Sequence, residues 1–238
     1  MFYREDYRPR LADYDRRGRL SYEAILQILE TAGSHHSDTV NDSVIAGSQS
    51  GIAWILADWH IRIQKRPESG DELHIVTWVR GKARASAILR GFLVTDKSGN
   101  EMLRAEARTA LYDTERGRPT RISEALFAAY GPEEKTVFEE GAVRLHPLEQ
   151  YRRAVPLFLR RSDIDFNNHV HNTRYMDFAL EALPREAYER DELKELRIAY
   201  LKPVKAGDAV TLKYSPVGNT HAVAVFAGDT PCALMEFA

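Results

Sequence analysis

Cys232 is the only cysteine among 238 residues, so the chain can form neither an internal disulfide framework nor a cysteine-built zinc site. A lone thiol fits a reducing compartment, and the cytoplasm is the expected location. No run of about 18 apolar residues occurs, so no membrane span is expected. The opening stretch MFYREDYRPR has no apolar core and carries two acidic residues, unlike a secretory signal or a transit peptide. Net charge is nearly absent as well: the formal value is −2. That gives no general attraction to nucleic acid or anionic lipid, and no nucleic-acid partner is expected. Any charged partner must be met by a local patch. Gly/Ser-rich and Pro-rich low-complexity segments are also missing. What is present, 44% hydrophobic residues, supplies one large domain or two small fused ones.

Residues 21–32, SYEAILQILETA, place Ile25, Leu26, Ile28 and Leu29 on one stripe at helical spacing. A polar stretch, 33–51, reads as loop. WHIRIQK (59–65) alternates apolar and polar residues as a strand does. DELHIVTWVR (71–80), ASAILRGFLVTD (85–96) and EMLRAEARTALYD (101–113) continue an antiparallel meander, with turns at PESGD and KSGN. Residues 114–152 are charged and carry Pro119, Pro132 and Pro147; short helical pieces in a connecting segment are expected there. The order then recurs: a strand over 154–163, a helix over 173–183 ended by Pro184, and four strands from ELRIAYLKPV to PCALMEFA.

The recurrence is visible in the residues. ADYDRRGRLSYEAILQILETA (12–32) aligns without a gap on SDIDFNNHVHNTRYMDFALEA (162–182). Asp13 meets Asp163, Asp15 meets Asp165 and Leu20 meets Val170. Further on, SGDELHI (69–75) meets AGDAVTL (206–212) in the same order. The expectation is a duplicated unit, a helix wrapped by an antiparallel sheet.

The copies differ where chemistry is available. Arg17 and Arg19 of the first copy become Asn167 and His169 in the second. A capping or packing role should hold equally in both copies, whereas a reactive role needs only one. Two readings stay open. Asp165 or Asn168 caps the following helix, as Asp and Asn prefer, and His169 is a satisfied polar residue. Alternatively, Asp165 and His169 take a proton from water. Asn167 and free N–H groups at the helix start then stabilise an oxyanion.

The run DFNNHVHN resembles the motif of the acyl-acyl-carrier-protein thioesterases, an Asp-x-Asn-x-His run followed by Val-Asn-Asn. Asp165, Asn167 and His169 match, and His171 replaces the first Asn after Val. ETAG (30–33) and WILADWHIRIQKRPESGDELHIVTWV (54–79) resemble the first half of that family. The resemblance implies an α+β tandem double hot-dog, two antiparallel sheets each wrapping a long helix. It implies an N-terminal hot-dog over 1–130 with the acyl pocket, a linker over 131–152, and a C-terminal hot-dog over 153–238 with the catalytic motif. It implies hydrolysis of fatty acyl thioesters by water, with Asp165, Asn167 and His169 catalytic and no cofactor. Ile25, Leu29 and Trp54 are the expected acyl-binding residues. Acyl carrier protein is the expected partner, and a monomer or homodimer the expected state. One departure stands: plant members carry an acidic residue beside a cysteine on the strand after the second helix, and YLKPVKAGD (200–208) has neither Glu nor Cys. An acyl-CoA thioesterase of the same fold and a non-catalytic acyl-binding protein are the alternatives.

An acidic carrier with a phosphate-bearing arm needs a cationic surface. Lys65, Arg66, Lys82 and Arg84 on the first sheet, or the arginines of 152–161, are candidates. HVH and HH invite a metal, but no third ligand has a recognisable spacing, so none is expected. GSQSG (47–51) has Gln where a nucleophile elbow has Ser, and reads as loop. Cys232 reads as a packed strand residue.

Overall fold

A computed structural model describes residues 1–140, 144–190 and 193–238. Residues 141–143, inside the stretch read as a linker, and residues 191–192 lie outside the described residues. The chain divides into two compact units, Met1–Gly141 and Ala142–Ala238.

In the first unit, β1 (Tyr3–Tyr7) leads through a 3-10 turn (Leu11–Asp13) to α1 (Tyr22–Thr39) and α2 (Val44–Gln49). Then come β2 (Ile52–Ile63), β3 (Leu73–Arg84), β4 (Ala87–Asp96), β5 (Glu101–Asp113), the short β6 (Arg118–Pro119) and α3 (Glu124–Ala129). The antiparallel sheet has the order β1-β3-β4-β5-β2, with β6 on β5. In the second unit, β7 (Arg153–Leu157) and a 3-10 turn (Arg161–Asp163) precede α4 (Arg174–Ala182) and α5 (Arg185–Arg190). They are followed by β8 (Glu195–Tyr200), β9 (Val210–Val217), β10 (Thr220–Ala227) and β11 (Thr230–Phe237). Its antiparallel order is β7-β9-β10-β11-β8, the same circuit as in the first unit.

Each unit builds its core from one helix and the facing side of its sheet. Ser21 caps α1 by accepting the Ala24 N–H at 3.1 Å, and Ile25, Leu26, Ile28, Leu29 and Ala32 are buried along the helix. In the second unit Tyr175, Met176, Phe178, Ala179 and Ala182 fill that place on α4. Fully burying each large side chain is worth about 1.5–3 kcal/mol, so these two stripes anchor the two layers.

The elements depart from the sequence reading at the places rich in polar residues. Helix α1 runs on to Thr39 through a segment read as loop. Its last turns are polar but satisfied: Arg90 meets His36 Nδ1 at 2.8 Å, and Ser37 Oγ donates to the Gly33 carbonyl at 3.1 Å. GSQSG is not wholly loop either, since Gly47–Gln49 close α2. The strand read over 154–163 stops at Leu157, and the one read from 195 to 204 stops at Tyr200. Strand β1 and helix α5 escaped the reading; β1 is mostly charged, and α5 starts directly after the proline that closes α4. The second helix is nine residues, against 18 for the first, so only α1 is long. Among the described residues no helix is long and apolar enough to cross a membrane.

Candidate active site

The two units build the same polar turn ahead of the main helix. Asp13 and Asp163 are both buried, and their carboxylates accept the N–H of Arg10 and Arg160, each at 2.7 Å. Their carbonyls accept the N–H of Ser21 (2.8 Å) and His171 (2.9 Å). Asp13 and Asp163 are therefore framework, as their presence in both copies implies.

The next aspartate closes the turn in both units. Asp15 Oδ1 accepts the N–H of Arg17 (2.8 Å) and Arg19 (3.1 Å). Asp165 Oδ1 accepts the N–H of Asn167 (2.9 Å) and His169 (3.1 Å). Gly18 (φ 73°) and Asn168 (φ 62°) hold the same left-handed position, which glycine and asparagine tolerate. Neither Asp165 nor Asn168 caps α4, whose N-cap residue is Thr173. His171 stands where Ser21 caps α1, and its Nδ1 accepts the Thr173 N–H at 3.3 Å. The capping reading of Asp165 and Asn168 is thus corrected: they shape a tight turn before the helix.

The units part at the second carboxylate oxygen. In the first, Arg66 is buried, donates from Nη2 to Asp15 Oδ2 at 2.6 Å and to the Leu20 carbonyl at 2.7 Å, and lies over the Tyr22 ring. Burial opposes ionisation of Asp15, but the N–H groups of Arg19 and Arg17 and the Arg66 guanidinium together hold its carboxyl below the ordinary value. In the second unit the place of Arg66 is taken by Pro203. The correspondence is structural: Leu20 N–H meets the Pro67 carbonyl at 2.7 Å, and Val170 N–H meets that of Val204 at 2.8 Å. Arg19 faces Glu68, and His169 faces Lys205, in matching bridges. Among the described residues, Asp165 Oδ2 has no hydrogen-bond partner. The second turn therefore carries an uncompensated carboxylate oxygen on half-buried Asp165 and, four residues on, a half-buried imidazole. That pair is what acid–base chemistry requires.

The segment after β8 packs against β11. The Cys232 carbonyl accepts the N–H of Leu201 (2.8 Å) and Lys202 (3.1 Å), just as Met102 accepts those of Gln64 (2.9 Å) and Lys65 (3.1 Å). Cys232 is buried, which pushes its thiol up from the ordinary value. Tyr175 is buried beneath this segment, and its hydroxyl accepts the Val204 N–H at 3.1 Å. Burial lifts its phenol to about 12, with Cys232, Asp165 and Asp208 adding negative charge nearby.

The remaining candidates lie in the first unit. Ile25 and Leu29 have no exposed surface, while Trp54 is half-buried and donates its indole N–H to Asp42 at 2.8 Å. Of the proposed docking cations, Lys65 and Arg84 are exposed, and Lys82 pairs with Glu124 at 2.6 Å. Arg66 is removed from that group: its side chain is 4% exposed and committed to Asp15, so no partner protein can reach it. The exchange of Arg66 for Pro203 was missed, although the match of 69–75 to 206–212, extended backwards, contains it.

Two copies of one helix-on-sheet unit, with the polar turn altered in only one, define a duplicated α+β protein of hot-dog-like fold. The family model for the acyl-ACP thioesterase N-terminal domain matches residues 1–130, and that for the C-terminal domain matches residues 147–227; the chain belongs to the acyl-ACP thioesterase family. It is 25% identical to the oleoyl-acyl carrier protein thioesterase 1 of Arabidopsis thaliana over 93% of this chain and 66% of that protein. It is 24% identical to the dodecanoyl-[acyl-carrier-protein] hydrolase of Cinnamomum camphora, over 76% and 50% of the two chains. The chain thus spans between half and just under two thirds of the length of these relatives. Among solved structures, the 12:0-ACP thioesterase from Umbellularia californica superposes with a TM-score of 0.86 at 18% identity, covering 99% of this chain and 96% of that one. An acyl-ACP thioesterase from Bacteroides thetaiotaomicron gives 0.87 at 20% identity, with the same coverage.

Proposed function

We propose that this protein hydrolyses fatty acyl thioesters borne by acyl carrier protein, releasing the free fatty acid and the carrier thiol. The observation that carries this reading is the Asp165 carboxylate, fixed through Oδ1 and left uncompensated at Oδ2, where its counterpart Asp15 is bound by Arg66. Water attacks the thioester carbonyl and gives its proton to Asp165 Oδ2 or to His169. Asn167 and nearby backbone N–H groups meet the oxyanion. The C–S bond breaks, and the departing thiolate takes the proton back. The acidic residue that plant members carry after the second helix is replaced by this pair. The fold reading goes further than an antiparallel hot-dog-like chain: each half, 1–130 and 153–238, is a hot-dog whose sheet wraps its helix, with 131–152 joining them. The acyl chain lies in the first half against α1, which carries Ile25 and Leu29, and beside Trp54 on β2. Its admission requires that layer to open, because Ile25 and Leu29 have no exposed surface.

The test is turnover of a dodecanoyl carrier protein beside dodecanoyl-CoA. Asp165→Asn keeps an oxygen for the two N–H groups but loses the base. Its rate should fall about a hundredfold or more, the usual scale for an acid–base group, with the melting temperature nearly unchanged. His169→Ala should do the same. Wild-type rates in both variants defeat the site. Equal turnover on the two carriers makes the protein a general acyl thioesterase, and acyl binding without hydrolysis makes it a binding module.

A further inference from the structure

The duplication exposes a second asymmetry, on the surface around the polar turn. Phe158, Phe166 and Leu201 are 89%, 67% and 47% exposed. Their counterparts in the first unit are Arg8, Arg16 and Gln64. The fold therefore does not require apolar side chains at these three positions; the first unit exposes one at this end, Leu11, where the second has Arg161. They lie at one end of the second sheet. Phe158 follows the end of β7, where Leu157 pairs with Val210 at the start of β9. Phe166 sits in the polar turn, and Leu201 begins the segment whose Lys205 faces His169. Cations share this end. Arg161, Lys202 and Lys205 are exposed, and among the described residues none of the three is in an ion pair. Lys205 replaces Glu68 of the first unit, reversing the sign at that bridge.

We propose that this face, apolar anchors within a cationic rim, is where the acidic carrier protein docks. The proposal rests on the thioesterase reading. It replaces the first-sheet cations, of which Arg66 is buried and Lys82 already paired. The face adjoins the turn holding Asp165 and His169, so a carrier seated there presents its arm at the chemistry. Unpaired lysines steer an acidic partner, and exposed phenylalanines supply contact area that survives salt. Docking depends on charge and apolar surface together, so carrier binding weakens with salt without vanishing.

The test uses the full chain with Leu201→Gln/Lys202→Glu as one variant and Lys205→Glu as another. Gln and Glu stand at the matching positions of the first unit for Leu201 and Lys205, so the fold accepts them. Affinity for holo carrier protein, read by calorimetry, should weaken about tenfold or more in both variants. kcat/KM on dodecanoyl carrier protein should fall in parallel for the Leu201→Gln/Lys202→Glu variant. On the dodecanoyl N-acetylcysteamine thioester, which has no carrier to dock, that variant should stay within about twofold of wild type. Unchanged carrier affinity overturns the proposal, and so does an equal loss on both substrates. A wild-type dimer that the variants dissociate overturns it in favour of self-association. A wild type that binds carrier through this face yet hydrolyses neither substrate refutes the thioesterase reading and leaves the docking face standing.

Discussion

Two aspartates in each turn show how one residue type divides its labour. Asp163 spends its carboxylate on the chain before it, as Asp13 does. Asp165 spends one oxygen on the turn and keeps the other. Cys232 can be judged by the same comparison. Its counterpart Met102 is buried and accepts the same pair of backbone N–H groups, so the position is one of packing. Burial also pushes the thiol up, away from the thiolate that a nucleophile needs. Native protein should therefore resist iodoacetamide at neutral pH, and Cys232→Ala should keep turnover within about twofold. The change removes one buried sulfur, and its stability cost should be on the order of 1 kcal/mol. A hundredfold loss of rate with an unaltered unfolding midpoint would instead make Cys232 a participant in the reaction.

At the scale of elements, the difference between the two turns reduces to what stands across from each of them. Arg66 reaches from the end of β2 toward Asp15, and Pro203 cannot reach from the end of β8 toward Asp165. Pro203→Arg should supply the missing guanidinium and compensate Asp165 Oδ2. Turnover should fall about tenfold or more, while Pro203→Met, similar in reach but uncharged, should spare most of it. Full activity in the arginine variant would mean that the free oxygen is not the base. This contrast was only half legible in the sequence. The turn residues announced themselves because Asn167 and His169 replace arginines at aligned positions. The opposing residue did not, because it lies on a distant strand and only pairing reveals that it faces the turn. The strands of the meander were readable from their period of two, and β5 has the bounds its pattern gave. The second half of α1 was hidden, since Ser34, His35, His36 and Ser37 look like loop until Arg90 is seen to bond His36 from the sheet. Strand β1 was hidden for a related reason: its hydrogen bonds to β3 hold five residues that show little apolar pattern.

At the scale of the molecule, that same His36 ties acid stability to the first unit. It is wholly enclosed, stacked on Tyr3 and edge-on to Tyr130, with Arg90 at its Nδ1. Burial, then the Arg90 charge, lowers its pKa to about 4 from an ordinary 6.5. The folded chain keeps this imidazole neutral where the unfolded chain protonates it. Between about pH 6.5 and pH 4 the unfolded state therefore binds more protons, and stability falls as the pH falls. Above that window the two states are alike and His36 contributes no slope. Asp58 and Glu106, whose carboxyls are raised by burial, act with the opposite sign and are common to wild type and variant, so they cancel in the comparison of the two. A comparison of pH 7.5, above the window, with pH 5.5, inside it, captures the histidine's share of the window. Each pH unit there is worth at most about 1.4 kcal/mol from one group. The urea midpoint of wild type should drop measurably from pH 7.5 to pH 5.5. In His36→Asn, whose amide oxygen can still accept from Arg90, the drop should be largely gone, even if the variant starts lower. An equal drop in both proteins would place the titrating group elsewhere. A variant too unstable to compare at pH 5.5 can be compared at pH 6, just inside the window, against pH 7.5: wild type should already have lost some stability there and the variant should not.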